Sequence, residues 1–229
     1  MTFITFEGIE GSGKTTQIQL LVEWLQQETD RVLVTREPGG TSIGEQIRAV
    51  LLNPINTEMT PEAEILLFSA ARAQIVREVI RPRLEEGWIV ICDRFADSTL
   101  AYQGYGHGLP LDDLLRITEF ATGGLWPDLT IYLDLDVETG LRRKAATPAE
   151  WNRMEAKAIA FHKRVRAGYL QLARQNPDRW LILDASLPKA DIQAHIRARV
   201  QQLLGEKNAN DAEKPGARGR RSEIGGCLF

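Results

Sequence analysis

The chain has 229 residues, 31 acidic and 28 basic, for a net charge of −3. Hydrophobic residues make up 43% and charged residues 26%, ordinary globular values that exclude a mainly disordered or fibrous chain. The balance leaves no bulk positive charge for nucleic acid, and no apolar run reaches the roughly 20 residues that span a bilayer, so neither partner is expected.

The N-terminal MTFITFEGIEGSGK lacks the basic and apolar regions of a secretory signal, and Cys92 and Cys227 make no disulfide framework. A reducing cytoplasm is the expected compartment.

In chain order, FITFE (3–7), RVLVT (31–35), WIVIC (88–92), LTIYLDL (129–135) and WLILDA (180–185) read as five strands. Four are too apolar for a half-exposed sheet and suit strands covered on both faces. Helical patterns fill the intervals at about 14–28, 43–52, 61–86, 111–122, 137–145, 153–175 and 188–204. In the third, Ala63, Leu66, Leu67, Ala70, Ala71, Ile75 and Val79 mark an apolar face. This alternation predicts an α/β three-layer sandwich: a five-stranded parallel sheet with helices on both faces and ligands at the carboxyl edge of the strands. Residues 205–229 combine five Gly, four acids and five bases with three large apolar residues. They read as a disordered tail after a single domain, 1–204. The terminal CLF is one residue short of a prenylation box.

The strongest motif is Gly8-Ile9-Glu10-Gly11-Ser12-Gly13-Lys14-Thr15, a complete G-x-x-x-x-G-K-[ST] between a strand and a helix. Its backbone N–H groups suit a polyphosphate, Lys14 the β and γ phosphates, and the Thr15 hydroxyl a Mg²⁺ ion. No N-K-x-D guanine motif and no L-S-G-G-Q signature occurs, and the size suits a small-molecule kinase. Such a kinase needs an arginine-lined pocket for an anionic acceptor. Candidates follow the second and third strands: Arg36-Glu37-Pro38-Gly39-Gly40-Thr41, then Asp93-Arg94-Phe95 and Asp97-Ser98-Thr99-Leu100-Ala101-Tyr102-Gln103-Gly104. Asp93, ending an apolar strand, is placed to hold Mg²⁺ directly or through water.

FEGIEGSGKTTQ, TREPGGTSIGEQIR, LLFSAARAQ and DRFADSTLAYQGYGHGL, in this order and spacing, resemble the bacterial thymidylate kinases over about residues 2–204. The resemblance implies phosphoryl transfer from ATP to dTMP with Mg²⁺, in a homodimer. It also implies that Phe68 stacks on thymine and that Arg72, one helical turn on, hydrogen-bonds the base. Arg94 would grip the acceptor phosphate, with Arg48 a weaker candidate. Ser98 and Thr99 would lie near the base edge and Tyr102 under the sugar. Glu10 would sit near the acceptor's 3′-hydroxyl and phosphate.

A lid is expected at about 142–153, from Leu141-Arg142-Arg143-Lys144 to Trp151-Asn152-Arg153-Met154-Glu155. No residue from Gly8 to Gly13 is basic, so the catalytic arginine should come from this lid, Arg153 and Arg143 ranking ahead of Arg142 and Lys144. His107, His162 and His195 lack metal-ligand spacing. Trp88, Trp126 and Trp180 read as packing residues. Asp134 and Asp136 read as orienting the next helix. A kinase for another small acceptor, or an ATP-dependent switch without turnover, are the rival readings.

Overall fold

The computed structural model describes residues 1–145, 153–154 and 157–213. Five strands, β1 (Thr2–Glu7), β2 (Val32–Arg36), β3 (Ile89–Asp93), β4 (Leu129–Asp134) and β5 (Trp180–Asp184), form one sheet in the order β2-β3-β1-β4-β5. Every neighbouring pair is parallel. The expected strands therefore form, each within about a residue of its expected ends.

Alternation along the strands divides the core. Ile4, Phe6, Ile91, Leu129, Ile131 and Leu133 face a layer built from α1 (Lys14–Leu25) and α9 (Lys189–Glu213). Phe3, Val90, Cys92 and Tyr132 face the opposite layer. There lie α3 (Pro61–Ile75), a π-helical segment Val76–Ile80, α4 (Arg81–Glu85) and α8 (Ile159–Gln175). Thr5 and Glu7 share the Phe3 side of β1 and are fully buried.

Local chemistry sets the helix starts. The Thr41 hydroxyl accepts from Gly44 N–H and opens α2 (Ser42–Leu52). Thr60 accepts from Ala63 N–H, and Pro61 takes the first helical position of α3. The π-helical turn falls just before Pro82, which has no N–H for a preceding carbonyl. The remaining elements are α5 (Ala96–Thr99) with a π-helical segment Leu100–Gly106, α6 (Leu111–Thr122) and α7 (Val137–Ala145).

Three expectations are corrected. The buried side of α3 is Glu64, Ile65, Ser69, Ala71, Arg72 and Ile75, while Ala63, Leu66 and Ala70 of the expected apolar face are exposed. Buried polar partners, not apolar periodicity, fix how this helix is rotated. Second, α9 runs to Glu213, so residues 205–213 of the expected tail are helical. Gln202 bonds Glu206 one turn on, and Lys207 pairs with Asp128 and donates to the Met1 carbonyl. The tail beyond, 214–229, and the lid segment 146–152 lie outside the described residues. Third, α8 begins at Ile159, and Arg153 and Met154 stand in a turn before it.

Candidate active site

Two loops meet at the carboxyl edge where β1 and β3 pair, because β1 crosses over to β2 on one side and β3 to β4 on the other. One loop is the phosphate-binding sequence Gly8–Thr15, the other Asp93–Phe95.

Gly8, Gly11 and Gly13 all have positive φ. Gly11 is required for a second reason. A Cβ there would collide with the Gly140 carbonyl of α7, and a Cβ on Gly140 would meet the Glu10 carbonyl. The loop and α7 thus pack backbone to backbone. Lys14 starts α1, and its ammonium donates to the Gly8 and Ile9 carbonyls at 2.9 and 3.2 Å. Lys14 is buried. Burial, reinforced by the Arg94 charge, brings its pKa down to about 8.

Arg94 has a left-handed backbone, φ 69°, which a non-glycine residue adopts only when its surroundings demand it. Its N–H donates to the Phe6 carbonyl, and its guanidinium pairs with Glu10 at 2.8 Å and lies over the Tyr102 ring. The Tyr102 hydroxyl donates to both Glu10 oxygens at 2.9 and 3.0 Å. The Arg94 and Lys14 charges hold the Glu10 carboxyl below its usual range although burial opposes them.

These residues line one cavity of about 630 Å³. Glu10 to Thr15, Arg48, Phe68, Arg72, Asp93, Arg94, Ser98, Thr99, Tyr102, Arg143 and Lys144 all contribute to its wall. Its bases, Lys14, Arg48, Arg72, Arg94, Arg143 and Lys144, outnumber its acids, Glu10, Glu37 and Asp93. An anionic ligand suits that balance. Phe68 is half-buried and Arg72 buried, on the wall of the same cavity. Arg72 donates to Glu37 (2.8 Å), Thr99 (2.8 Å) and the Phe95 carbonyl (3.1 Å), which leaves part of its five-donor fork for a ligand edge. Arg48 donates to the Pro38 carbonyl at 2.8 Å. Ser98 and Thr99 lie on α5, and Tyr102 on the π-helical turn that continues it.

Thr15 and Asp93 both reach this wall. Among the described residues, no cluster of three or more His, Cys, Asp or Glu could hold a metal by itself. A hydroxyl and one carboxylate beside a phosphate loop nevertheless suit Mg²⁺, which takes most of its ligands from water and phosphate.

The two leading lid arginines separate. Arg143, on α7, donates to the Gly11 and Ala185 carbonyls at 3.5 and 3.4 Å, beside the phosphate loop. Arg153 is buried away from it, donating to the Leu51 carbonyl at 2.8 Å and pairing with Glu64 at 2.6 Å. Glu64 also meets Gln103 and His107, and these partners hold its pKa down near 2. Of the other residues singled out, Asp136 accepts from Thr139 N–H and opens α7, and Asp134 forms a two-toothed pair with Arg166.

Sequence reasoning missed Glu7, Glu37, Gln103 and Tyr169. Glu37 stands inside the singled-out REPGGT turn and Gln103 inside the DSTLAYQG run, yet neither was given a role. Glu7 carried a signal too, as a charged residue ending a largely apolar strand next to the phosphate loop.

The thymidylate kinase family model matches residues 6–196. A thymidylate kinase of Roseiflexus sp. is 52% identical over 213 residues, covering 88% of this chain and 94% of its own. One of Nitratidesulfovibrio vulgaris is 49% identical, covering 92% and 96%. The crystal structure of thymidylate kinase from Ehrlichia chaffeensis superposes with a TM-score of 0.70 at 34% identity, covering 87% of this chain and 98% of that one. Matched by the family model over most of its length and by relatives about 50% identical over about nine-tenths of it, this chain belongs to the thymidylate kinase family.

Proposed function

We propose that this chain transfers the terminal phosphoryl group of ATP to the phosphate of dTMP, giving dTDP and ADP. The observation that carries the reading is one cavity whose wall includes the phosphate loop, Arg94 beside that loop, and the Phe68–Arg72 pair. Donor and acceptor are thereby held in one space, which is most of what phosphoryl transfer asks of a protein.

Backbone N–H groups of Gly8–Thr15 and the Lys14 ammonium bind the ATP phosphates. Thr15 and Asp93 hold Mg²⁺, which neutralises phosphate charge. Arg94 and Arg48 take the acceptor phosphate, Phe68 stacks on the base, and Arg72, Ser98 and Thr99 address its edge. Tyr102, fixed by Glu10, lies under the sugar. Arg143 supports the transferring group from the α7 side, where it already touches the loop.

A homodimer in the cytoplasm completes the reading. Its support is apolar surface on helices that pack side by side: Val50 of α2, Leu66 of α3 and Phe120 of α6 are all exposed, and α3 packs against both others.

An ADP-release assay with a panel of nucleoside monophosphates tests the activity. Turnover should depend on an acceptor and favour dTMP over purine monophosphates. Acceptor-independent ATP hydrolysis, or no ADP release with any acceptor, overturns the proposal.

A further inference from the structure

Glu7 is fully buried at the end of β1, one residue before the phosphate loop, and no step above uses it. Its Oε1 accepts the Phe95 N–H at 2.8 Å. Its Oε2 accepts the Ser98 hydroxyl at 2.6 Å and the Tyr169 hydroxyl at 2.7 Å. Those hydroxyl oxygens, 2.9 Å apart, both receive Nη1 of Arg94, at 3.4 Å from Ser98 and 3.3 Å from Tyr169.

A hydroxyl has one proton and two lone pairs. Ser98 and Tyr169 spend their protons on the Glu7 carboxylate, so each turns a lone pair toward Arg94. A carboxylate accepts only, so it imposes this polarity on both. On the backbone side, the same carboxylate pins the N–H that follows the left-handed Arg94, whose own N–H is fixed on Phe6.

We infer that Glu7 is a positioning residue for the acceptor-phosphate arginine: through Ser98, Tyr169 and the Phe95 N–H it sets the conformation and hydrogen-bond environment of Arg94. This deepens the reading given above and rests on Arg94 binding the dTMP phosphate. Arg94 keeps its direct ion pair with Glu10, so Glu7 reaches it through Ser98, Tyr169 and the Phe95 N–H and not by a salt bridge of its own. Burial raises the Glu7 pKa to about 7 against the lowering influence of Arg94, Ser98 and Tyr169. A protonated Glu7 donates where the carboxylate accepts, so loss of the charge breaks the polarity of the relay.

Glu7→Gln makes the same change permanently in nearly the same shape. Its amide still accepts from Phe95 N–H but donates toward Ser98 and Tyr169, turning a hydroxyl proton against the guanidinium. The test compares wild type, E7Q, Arg94→Ala and the double variant by steady-state kinetics in both substrates. E7Q should raise the dTMP KM by about tenfold or more with the ATP KM within about twofold, and should add little once Arg94 is gone. If Arg94→Ala leaves the dTMP KM unchanged, the assignment of Arg94 fails, and this inference with it. If Arg94→Ala raises the dTMP KM but E7Q does not, or E7Q raises both KM values alike, Glu7 is a structural residue and the inference alone is overturned. Should E7Q not fold, Tyr169→Phe decides, since Tyr169 is given no direct contact with dTMP: a raised dTMP KM with the ATP KM unchanged supports the relay, and an unchanged dTMP KM overturns it.

Discussion

Phe68 and Arg72 show what residue spacing can and cannot convey. Four positions apart on α3, they were expected on one helix face, and both reach the cavity wall. Phe68 is half-buried while its neighbours Leu66 and Ser69 are exposed and buried, so a ring at this position keeps a face for a ligand. Base–aromatic stacking contributes about 1–3 kcal/mol per base. Phe68→Ala should therefore raise the dTMP KM about tenfold with little change for ATP; equal changes in both would assign the ring to core packing. The partners of these residues were far less legible. Arg72 is fixed by Glu37, 35 positions away, and Glu7 meets Tyr169, 162 positions away. Periodicity reports neighbours along one element, whereas these pairs exist only once the sheet sets strand ends against α3 and α8. Tyr169 lies in an apolar stripe with Phe161, Val165 and Leu172, where a buried hydroxyl still needs a partner.

At the scale of elements, apolar strands and strand–helix alternation conveyed the sheet because burial on both faces leaves a continuous hydrophobic run. The Ala96–Gly106 segment was not legible as helix. Its two glycines and β-branched Thr99 carry low helix propensity, and tertiary anchors supply what propensity lacks. Asp97, fully buried, takes two hydrogen bonds from Arg179 at 2.6 and 2.8 Å and one from Thr130 at 3.0 Å, which ties α5 to β4 and to the residue before β5. The lid stem shows the same division between local pattern and long-range partner. Sequence ranked Arg153 and Arg143 together, but the structure sets Arg143 beside Gly11 and commits Arg153 to Glu64 and Leu51. Removing an arginine that acts on the transferring group costs on the order of 10²–10³ in kcat. Arg143→Ala should show that loss with a nearly unchanged melting temperature. Arg153→Ala should instead lower the melting temperature, because it takes one cation from the buried Glu64 carboxylate. A kcat loss confined to Arg153→Ala would reverse the assignment.

For the whole molecule, the rotation of α3 links the site to assembly. Glu64, Ser69 and Arg72 turn inward, where Glu64 and Arg72 meet the lid stem and the α5 turn. The same rotation turns Leu66 outward, 58% exposed. Phe120 on α6 is 83% exposed and Val50 on α2 45% exposed. Sequence periodicity counted Leu66 as core, and the rotation of α3 leaves it on the surface, where the proposed dimer would cover it. Scattered single apolar residues are common on protein surfaces, but large ones on adjoining helices mark an interface. Light scattering at micromolar concentration should give a mass twice the 25.7 kDa of one chain. Leu66→Asp with Phe120→Asp places two charges on the proposed interface, and desolvating them without partners should return the mass to a single chain. Circular dichroism should show the helices intact, because both positions are exposed and neither belongs to the core. A single-chain mass for the wild type, or a two-chain mass for the double variant, shows that this face does not hold the copies together.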